Sequence, residues 1–436
     1  MTRSKRVAAV VVASASALLL AACGSSSSTT DSSATPGGSA SGGTTGSAEV
    51  FSWWTSGSEN AALEALFDTT GKANPNLNLI NAAVAGGAGS NAQQVLATRL
   101  AGGDIPETWQ THQGGALGDY VKQGVVEDVT QLYTDNGWDK IIPKALLDSM
   151  TYDGKIYAVI TGVHRGNVWW YNKKVVEGAG LTVPANVTYA QLSELATALK
   201  AKNITPMCLG DKDIWTAATL IEGTIVGEIG GDGWKSLMDG SLKWSDPSVA
   251  QAVTDGYTQL GWAQKDHKSQ DWTGAVSSLA SGKCAFNVMG DWAYGELVTK
   301  YKLVDGTDFG YTVLGDASNF VTVTDVFVEG KGSKNPAGAV AFMSAIMDKS
   351  AQISFNKLKG SAPARSDVDA SSLGAYQQNA VKTLSSGTLI ASLVQGQALV
   401  PAANGQAFSD ATTLLEANGD VAAFVKAMDT AWATNK

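Results

Sequence analysis

From residue 50 onward, short apolar runs alternate with longer stretches whose apolar residues recur at helical spacing. The run at 50–54 reads as a strand. The segment over 60–72 places Leu63, Leu66 and Phe67 on one helical face, and a second strand-like run follows at 77–84. Gly86, Gly87 and Gly89 then turn the chain into a helix over 91–101, ahead of a strand at 108–112. Strands and helices in this order predict α/β units built on mostly parallel sheets.

The pattern resumes with a strand at 167–171, a helix over 189–202 and a strand at 206–209. Asp246 and Pro247 form an N-cap and first-turn pair for a long helix. Gly282 closes that helix ahead of a strand at 284–288, and further helices, one of them over 336–347, fill the C-terminal portion. A folded part of about 390 residues exceeds one ordinary core, so two domains are expected. No Pro/Ser/Gly-rich linker divides them and no internal repeat is present. A chain that crosses between two lobes several times has that appearance.

The N terminus departs from this pattern. Arg3, Lys5 and Arg6 precede an uncharged apolar run over 7–22 that ends in small residues, the layout of a signal peptide. The run is shorter than the roughly 20 residues that span a bilayer. Leu20, Ala21, Ala22 and Cys23 resemble the bacterial lipobox, whose cysteine is acylated before cleavage. Residues 1–22 are therefore expected to be removed, leaving Cys23 as a lipid anchor on the outer face of the cytoplasmic membrane. Residues 23–48, mostly Ser, Gly, Thr and Ala, read as a flexible linker with little to bury. No later segment is long and apolar enough to cross a bilayer.

Composition narrows the function. A net charge of -9, which becomes more acidic once the basic leader is removed, argues against a nucleic-acid partner. Beyond Cys23 the only cysteines are Cys208 and Cys284, an even pair that an exported chain can bond. Catalytic signatures are scarce. The chain has three histidines, His112, His164 and His267, none in an H-E-x-x-H pattern, and no G-x-S-x-G. Its Cys and His spacing forms no metal motif, and no cofactor is implied. The glycines at 86–89 precede a helix and could cradle a phosphate, although a tight turn explains them as well.

Tryptophan carries the stronger signal, with 13 in the chain and several beside polar residues at strand or loop ends: Trp53 and Trp54 after Ser52, Trp272 after Asp271, and Trp292 after Asp291. A flat indole matches the apolar C–H face of a pyranose, and neighbouring Asp, Glu, Gln, His and Lys can bond its hydroxyls. Any one of these tryptophans could instead be a core residue. In α/β sheets ligands sit beyond the carboxyl ends of strands, where Trp54, Gln110 and His112 are expected.

With FSWW, INAAVAGGAGSNAQQVLATRLAGGDIPETWQTH, HRGNVWWYN, KCAFNVMGDWA and FNKLKGSAPAR in order from residue 50 to the C terminus, the chain resembles the glucose-type sugar-binding proteins of ABC importers. The resemblance implies a two-lobed, type-II periplasmic-binding-protein fold that closes on one sugar, a monosaccharide such as glucose. The expected lobes are 49–161 with 324–358, and 162–323 with 359–436. It implies a monomer, with ABC permease subunits as partners.

Carried over residue by residue, the sugar-binding set is Trp53, Trp54, Glu59, Gln110, His112, Trp272, Trp292, Asp325 and Lys359, with His164 and Asn167 from the HRGN block. Where the glucose binders read Leu-Val-His, this chain has Leu393, Val394 and Gln395. Glutamine is neutral and can both donate and accept, so this departure bears on which sugar fits. Two other classes share these features: an exported glycosidase, and a surface protein that senses sugar without passing it on.

Overall fold

The computed structural model describes residues 44–86 and 89–435. The leader, Cys23 and most of the linker lie outside the described residues. β1 (Gly46–Phe51) pairs in parallel with β2 (Leu77–Asn81) and with β3 (Thr108–His112). Gly46 opposes Leu77, so the sheet begins inside the stretch read as linker. The Asn335 amide secures this start by donating to the carbonyls of Thr45 and Ser47 at 3.0 and 3.1 Å.

A short hairpin of β4 (Thr151–Tyr152) and β5 (Lys155–Ile156) precedes β6 (Val159–Arg165). The second sheet follows, in the order β8 (Asn186–Val187), β11 (Phe309–Leu314), β7 (Trp169–Asn172), β10 (Cys284–Val288) and β9 (Thr205–Met207). The chain then returns to the first sheet through β12 (Asn319–Glu329) and β13 (Thr388–Ala391), giving the order β13-β12-β3-β1-β2 with β6 also paired to β12.

Parallel pairs flank both sheets, as the alternating pattern implies. The antiparallel pairs are those of β12 with β3 and β6, and of β7 with β10 and β11. Strands that enter a sheet from elsewhere in the chain are free of the βαβ crossover that enforces parallel pairing.

Two buried apolar clusters form the core, and strands of both sheets contribute to each. Trp54, Trp109, Phe327, Phe342 and Phe355 are buried in one, and Trp169, Trp234, Trp244, Phe286 and Phe408 in the other. A helix of the second, Trp215–Met238, is apolar nearly all round and correspondingly buried from Thr216 to Val226, with a break at Gly230. Among the described residues no helix is long and apolar enough to cross a membrane.

Most expected helices are found within a few residues of their expected bounds, for example Gly57–Ala73, Ser90–Ala101 and Tyr189–Ala201. The exception is the long helix begun at Asp246. Asp246 caps it as expected, but it ends at Leu260, and Asp271 caps a separate helix, Trp272–Ala280. A second N-cap inside an apolar periodic stretch is a restart signal, because the Asp carboxylate satisfies an amide that an uninterrupted helix would already have used.

The long strand β12 runs through the middle of the first sheet. Its first residues pair with β13, its middle with β6, and residues from Asp325 onward with β3. Opposite Asp325 the register against β6 slips by one residue, and the extra Thr161 turns its hydroxyl onto the Asp325 carbonyl at 2.9 Å. Such a bulge bends a strand locally and re-aims its side chains.

Cys208 and Cys284 are disulfide-bonded, with Cα atoms 5.6 Å apart, tying the end of β9 to the start of β10. The bond closes a long loop, so its loss should cost roughly 4 kcal/mol in the chain-entropy description. Guanidinium unfolding of the Cys208→Ser/Cys284→Ser variant should show that loss. A midpoint equal to that of the parent protein would contradict it.

Candidate functional site

A small cleft of about 50 Å³ opens where β12 passes between β3 and β6. Four indoles form its walls. Trp53 comes from the loop after β1, Trp215 from the first turn of helix Trp215–Met238, Trp272 from the first turn of its own helix, and Trp292 from the turn after β10. Trp215 and Trp292 lie with ring centroids 6.1 Å apart, and Trp53 lies 5.2 Å from the His112 ring. Between the indoles sit Glu59, His112, Asp325, Lys359 and Gln395.

Local sequence explains the placement. Adjacent residues of an extended chain face opposite ways, so Trp54 enters the core against Phe327 and Phe355 while Trp53 turns to the cleft. The Trp53 amide donates to Gln110 Oε1 at 3.2 Å. Gly89, at φ +98°, lies against the indole so closely that an added Cβ would sit 2.8 Å from the ring. At this position backbone conformation and close approach both exclude a side chain.

Asp325 is the electrostatic centre. Its Oδ1 accepts from Gln110 Nε2 at 2.7 Å, and its Oδ2 lies 3.6 Å from His164 Nε2. Burial alone would raise its pKa, but the facing His164 imidazole and the positive charge of Lys359 outweigh it and hold the carboxyl well below the usual carboxylate range. Lys359 is itself buried. Its Nζ donates to Glu59 Oε1 at 2.6 Å and lies 5.1 Å from the Trp54 ring centroid.

His164 bridges two carboxylates, bonding Asp291 through Nδ1 and facing Asp325 through Nε2. Burial and Lys359 disfavour its protonation, yet Asp291 and Asp325 together raise its pKa. Asp291 also accepts from the Arg165 amide at 3.0 Å and the Tyr376 hydroxyl at 3.2 Å.

His112 behaves oppositely, its pKa lowered by burial against the pull of Asp325. The Thr324 hydroxyl donates to Gln397 Oε1 at 2.7 Å, and Gln397 Nε2 bonds His112 Nδ1 at 2.8 Å. As the partner of the Gln397 amide Nδ1 accepts and Nε2 carries the ring proton, whereas the other tautomer turns Nδ1–H toward the Thr324 carbonyl at 3.3 Å.

Eight of the residues expected from sequence therefore meet at the cleft: Trp53, Glu59, His112, Trp272, Trp292, Asp325, Lys359 and Gln395. Four are placed elsewhere. Trp54 is a fully buried core residue beneath Lys359. Gln110 and His164 stand behind Asp325 and position it. Asn167 lies inside the crossover, where its amide donates to Asn319 O at 3.0 Å and accepts from the Val321 amide at 3.1 Å. Trp215 and Gln397 join the site without a signal in the sequence. Trp215 opens an apolar helix and reads as core, and Gln397 lies in a loop without periodicity.

Comparison with known proteins agrees with the fold. Residues 54–353 match the family model for bacterial extracellular solute-binding proteins. An uncharacterized ABC transporter extracellular-binding protein of Pyrococcus horikoshii is 31% identical, the match covering 86% of this chain and 84% of the relative. A probable sugar-binding periplasmic protein of Rhizobium meliloti is 33% identical, over 84% and 88% of the two chains. Among solved structures, the bacterial solute receptor AcbH, which prefers β-D-galactopyranose, shares the fold with a TM-score of 0.77 at 18% identity, covering 89% of this chain and 98% of the other.

One further buried group holds the cleft together. Glu222, on the same helix as Trp215, accepts from the Ser392 hydroxyl at 2.7 Å and from the amides of Leu393 and Val394 at 2.6 and 3.2 Å. It thereby fixes the loop that presents Gln395. Burial pushes its pKa up to about 7 although these donors favour the charged form. A carboxyl raised on folding binds its proton more tightly in the native state. Its contribution is therefore complete below the unfolded value of 4.5 and is lost as pH rises through about 7. Glu222→Gln keeps the shape and cannot ionise, so between pH 5 and 8 the variant should gain roughly 2–3 kcal/mol relative to the parent. Urea unfolding at the two pH values measures this, and parallel pH profiles would rule it out.

Proposed function

The chain belongs to the bacterial extracellular solute-binding protein family, and from that premise we propose that it captures a sugar and delivers it to an ABC importer. The observation that carries this reading is the cleft itself, with four indole faces surrounding Glu59, His112, Asp325, Lys359 and Gln395. Indoles supply apolar area without a directional demand, while the polar groups supply donors and acceptors at fixed angles. A pyranose, apolar on its ring faces and polar around its rim, needs both. The Trp215 indole N–H adds a buried donor with no partner among the described residues. The Asp325 carboxylate and the His112 Nε2–H form a complementary pair for one or two hydroxyls.

The ligand favoured for the inner cleft is a monosaccharide such as glucose. A second reading, a disaccharide or longer chain, is supported by the way the cleft continues outward past His112, Trp215 and Gln395 into a hollow bordered by Ser90, Gln93 and Gln406. In that reading the inner cleft holds one ring of the chain.

Capture proceeds by closure of the lobes 49–161 with 324–358 and 162–323 with 359–436. The sugar bridges groups from both and favours the closed state through contacts absent from the open one. Asp325 lies one residue beyond the proposed 323/324 boundary, so a ligand held by it acts on the hinge directly. Permease subunits then recognise the closed monomer. Cys23, acylated and joined by a flexible leash, keeps the receptor near them and raises their effective concentration.

Isothermal titration with glucose, galactose, xylose and maltose tests the site. Trp292→Ala and Asp325→Asn should each weaken the tightest sugar at least tenfold, about 1.4 kcal/mol, with the fold retained by circular dichroism. Trp53→Ala should do the same. Undiminished affinity in all three would refute the assignment, and release of smaller sugars from maltose would favour the glycosidase instead.

A further inference from the structure

Away from the indole cleft, three metal-ligating side chains from distant parts of the sequence meet at one point. Asp211 follows β9, His267 begins the short helical turn His267–Ser269, and Glu416 lies in the last turn of helix Ala402–Asn418. One ligand atom from each lies within 4.8 Å of the others. His267 Nδ1 is 2.7 Å from Asp211 Oδ1 and 3.8 Å from Glu416 Oε1. The Asp211 side chain is fully buried and that of Glu416 is 11% exposed.

A second observation points into the same space. Asp211 Oδ2 and Glu416 Oε1 are buried oxygens with no hydrogen-bond partner among the described residues. A buried carboxylate oxygen left unpaired costs free energy, and a nearby second carboxylate adds repulsion. Lys268 contacts only the other Glu416 oxygen, at 3.2 Å, and is itself more than half exposed.

We propose that Asp211, His267 and Glu416 form a binding site for one first-row divalent cation, of which Zn²⁺ fits best. Two ligand atoms on a tetrahedral Zn²⁺ stand about 3.4 Å apart, so an ion replaces the proton of the 2.7 Å hydrogen bond between His267 Nδ1 and Asp211 Oδ1, spreads that pair, and draws Glu416 Oε1 in from 3.8 Å. An imidazole with two carboxylates favours a transition ion over Ca²⁺ or Mg²⁺, which prefer all-oxygen sites. The alternative occupant of this space is a proton shared between the two carboxyl groups, which needs no ion.

The cation has a structural consequence for the cleft. The Asp211 amide donates to His267 O at 3.2 Å and the Lys212 amide to Gln270 O at 2.9 Å, so the two loops are already joined by backbone bonds. Trp272 follows one loop and Trp215 the other. An ion ligated by both loops and by helix Ala402–Asn418 stiffens the wall that carries those two indoles. The site is independent of the sugar assignment and can stand or fall without it.

The test uses tag-free protein freed of metal by a chelator, then titrated with ZnCl₂, MnCl₂ and CaCl₂ by calorimetry and thermal shift. The expected result is one Zn²⁺ per chain with a raised Tm, and affinity lowered at least thirtyfold in both His267→Gln and Glu416→Gln. Absence of Zn²⁺ binding by the parent protein overturns the proposal in favour of the shared proton. Full affinity in either variant, or a response to Ca²⁺ in place of Zn²⁺, overturns the ligand assignment.

Discussion

A carboxylate taken out of water costs several kcal/mol unless its charge and lone pairs are met by the protein, and Asp325 is buried at the point where β12 passes between β3 and β6. That constraint organises the surrounding structure. Gln110 is fixed because it must donate to Asp325, His164 because it faces it, and Lys359 because its charge offsets it. Each then constrains a further element. Gln110 accepts the Trp53 amide, His164 leans on Asp291 before Trp292, and Lys359 holds Glu59 at the start of helix Gly57–Ala73. The polar network and the aromatic walls are thus one assembly.

The second wall has its own buried acid. Glu222 accepts from three donors of the 392–394 loop, so the helix that begins with Trp215 and the loop that presents Gln395 move together. A cleft built in this way presents rigid indoles and directional polar groups from separate segments of the chain. Rigid, pre-placed groups reduce the ordering cost that binding otherwise incurs.

Hydrophobic patterning locates the α/β order and most helices, because helical periodicity is a local property. The extent of β1 is less visible, since Gly46, Ser47 and Ala48 lack strand character and are held by pairing with β2 and by Asn335. The site is legible chiefly through motif resemblance. Resemblance does not separate a residue that lines a cleft from one that supports it: Asn167 stands in a recognisable block and serves the crossover. Trp53 and Trp54 show the same limit, because neighbouring positions face opposite ways and either could have been the inward one. Trp215 escapes notice because an indole opening an apolar helix has the signature of core.

In the proposed function the sugar draws the two lobes together across Asp325. Small-angle X-ray scattering of the protein with and without a saturating amount of its tightest sugar tests this most directly. The bound protein should show a smaller radius of gyration, with the change absent in Asp325→Ala at the same sugar concentration. Saturated binding with an unchanged radius of gyration would contradict it.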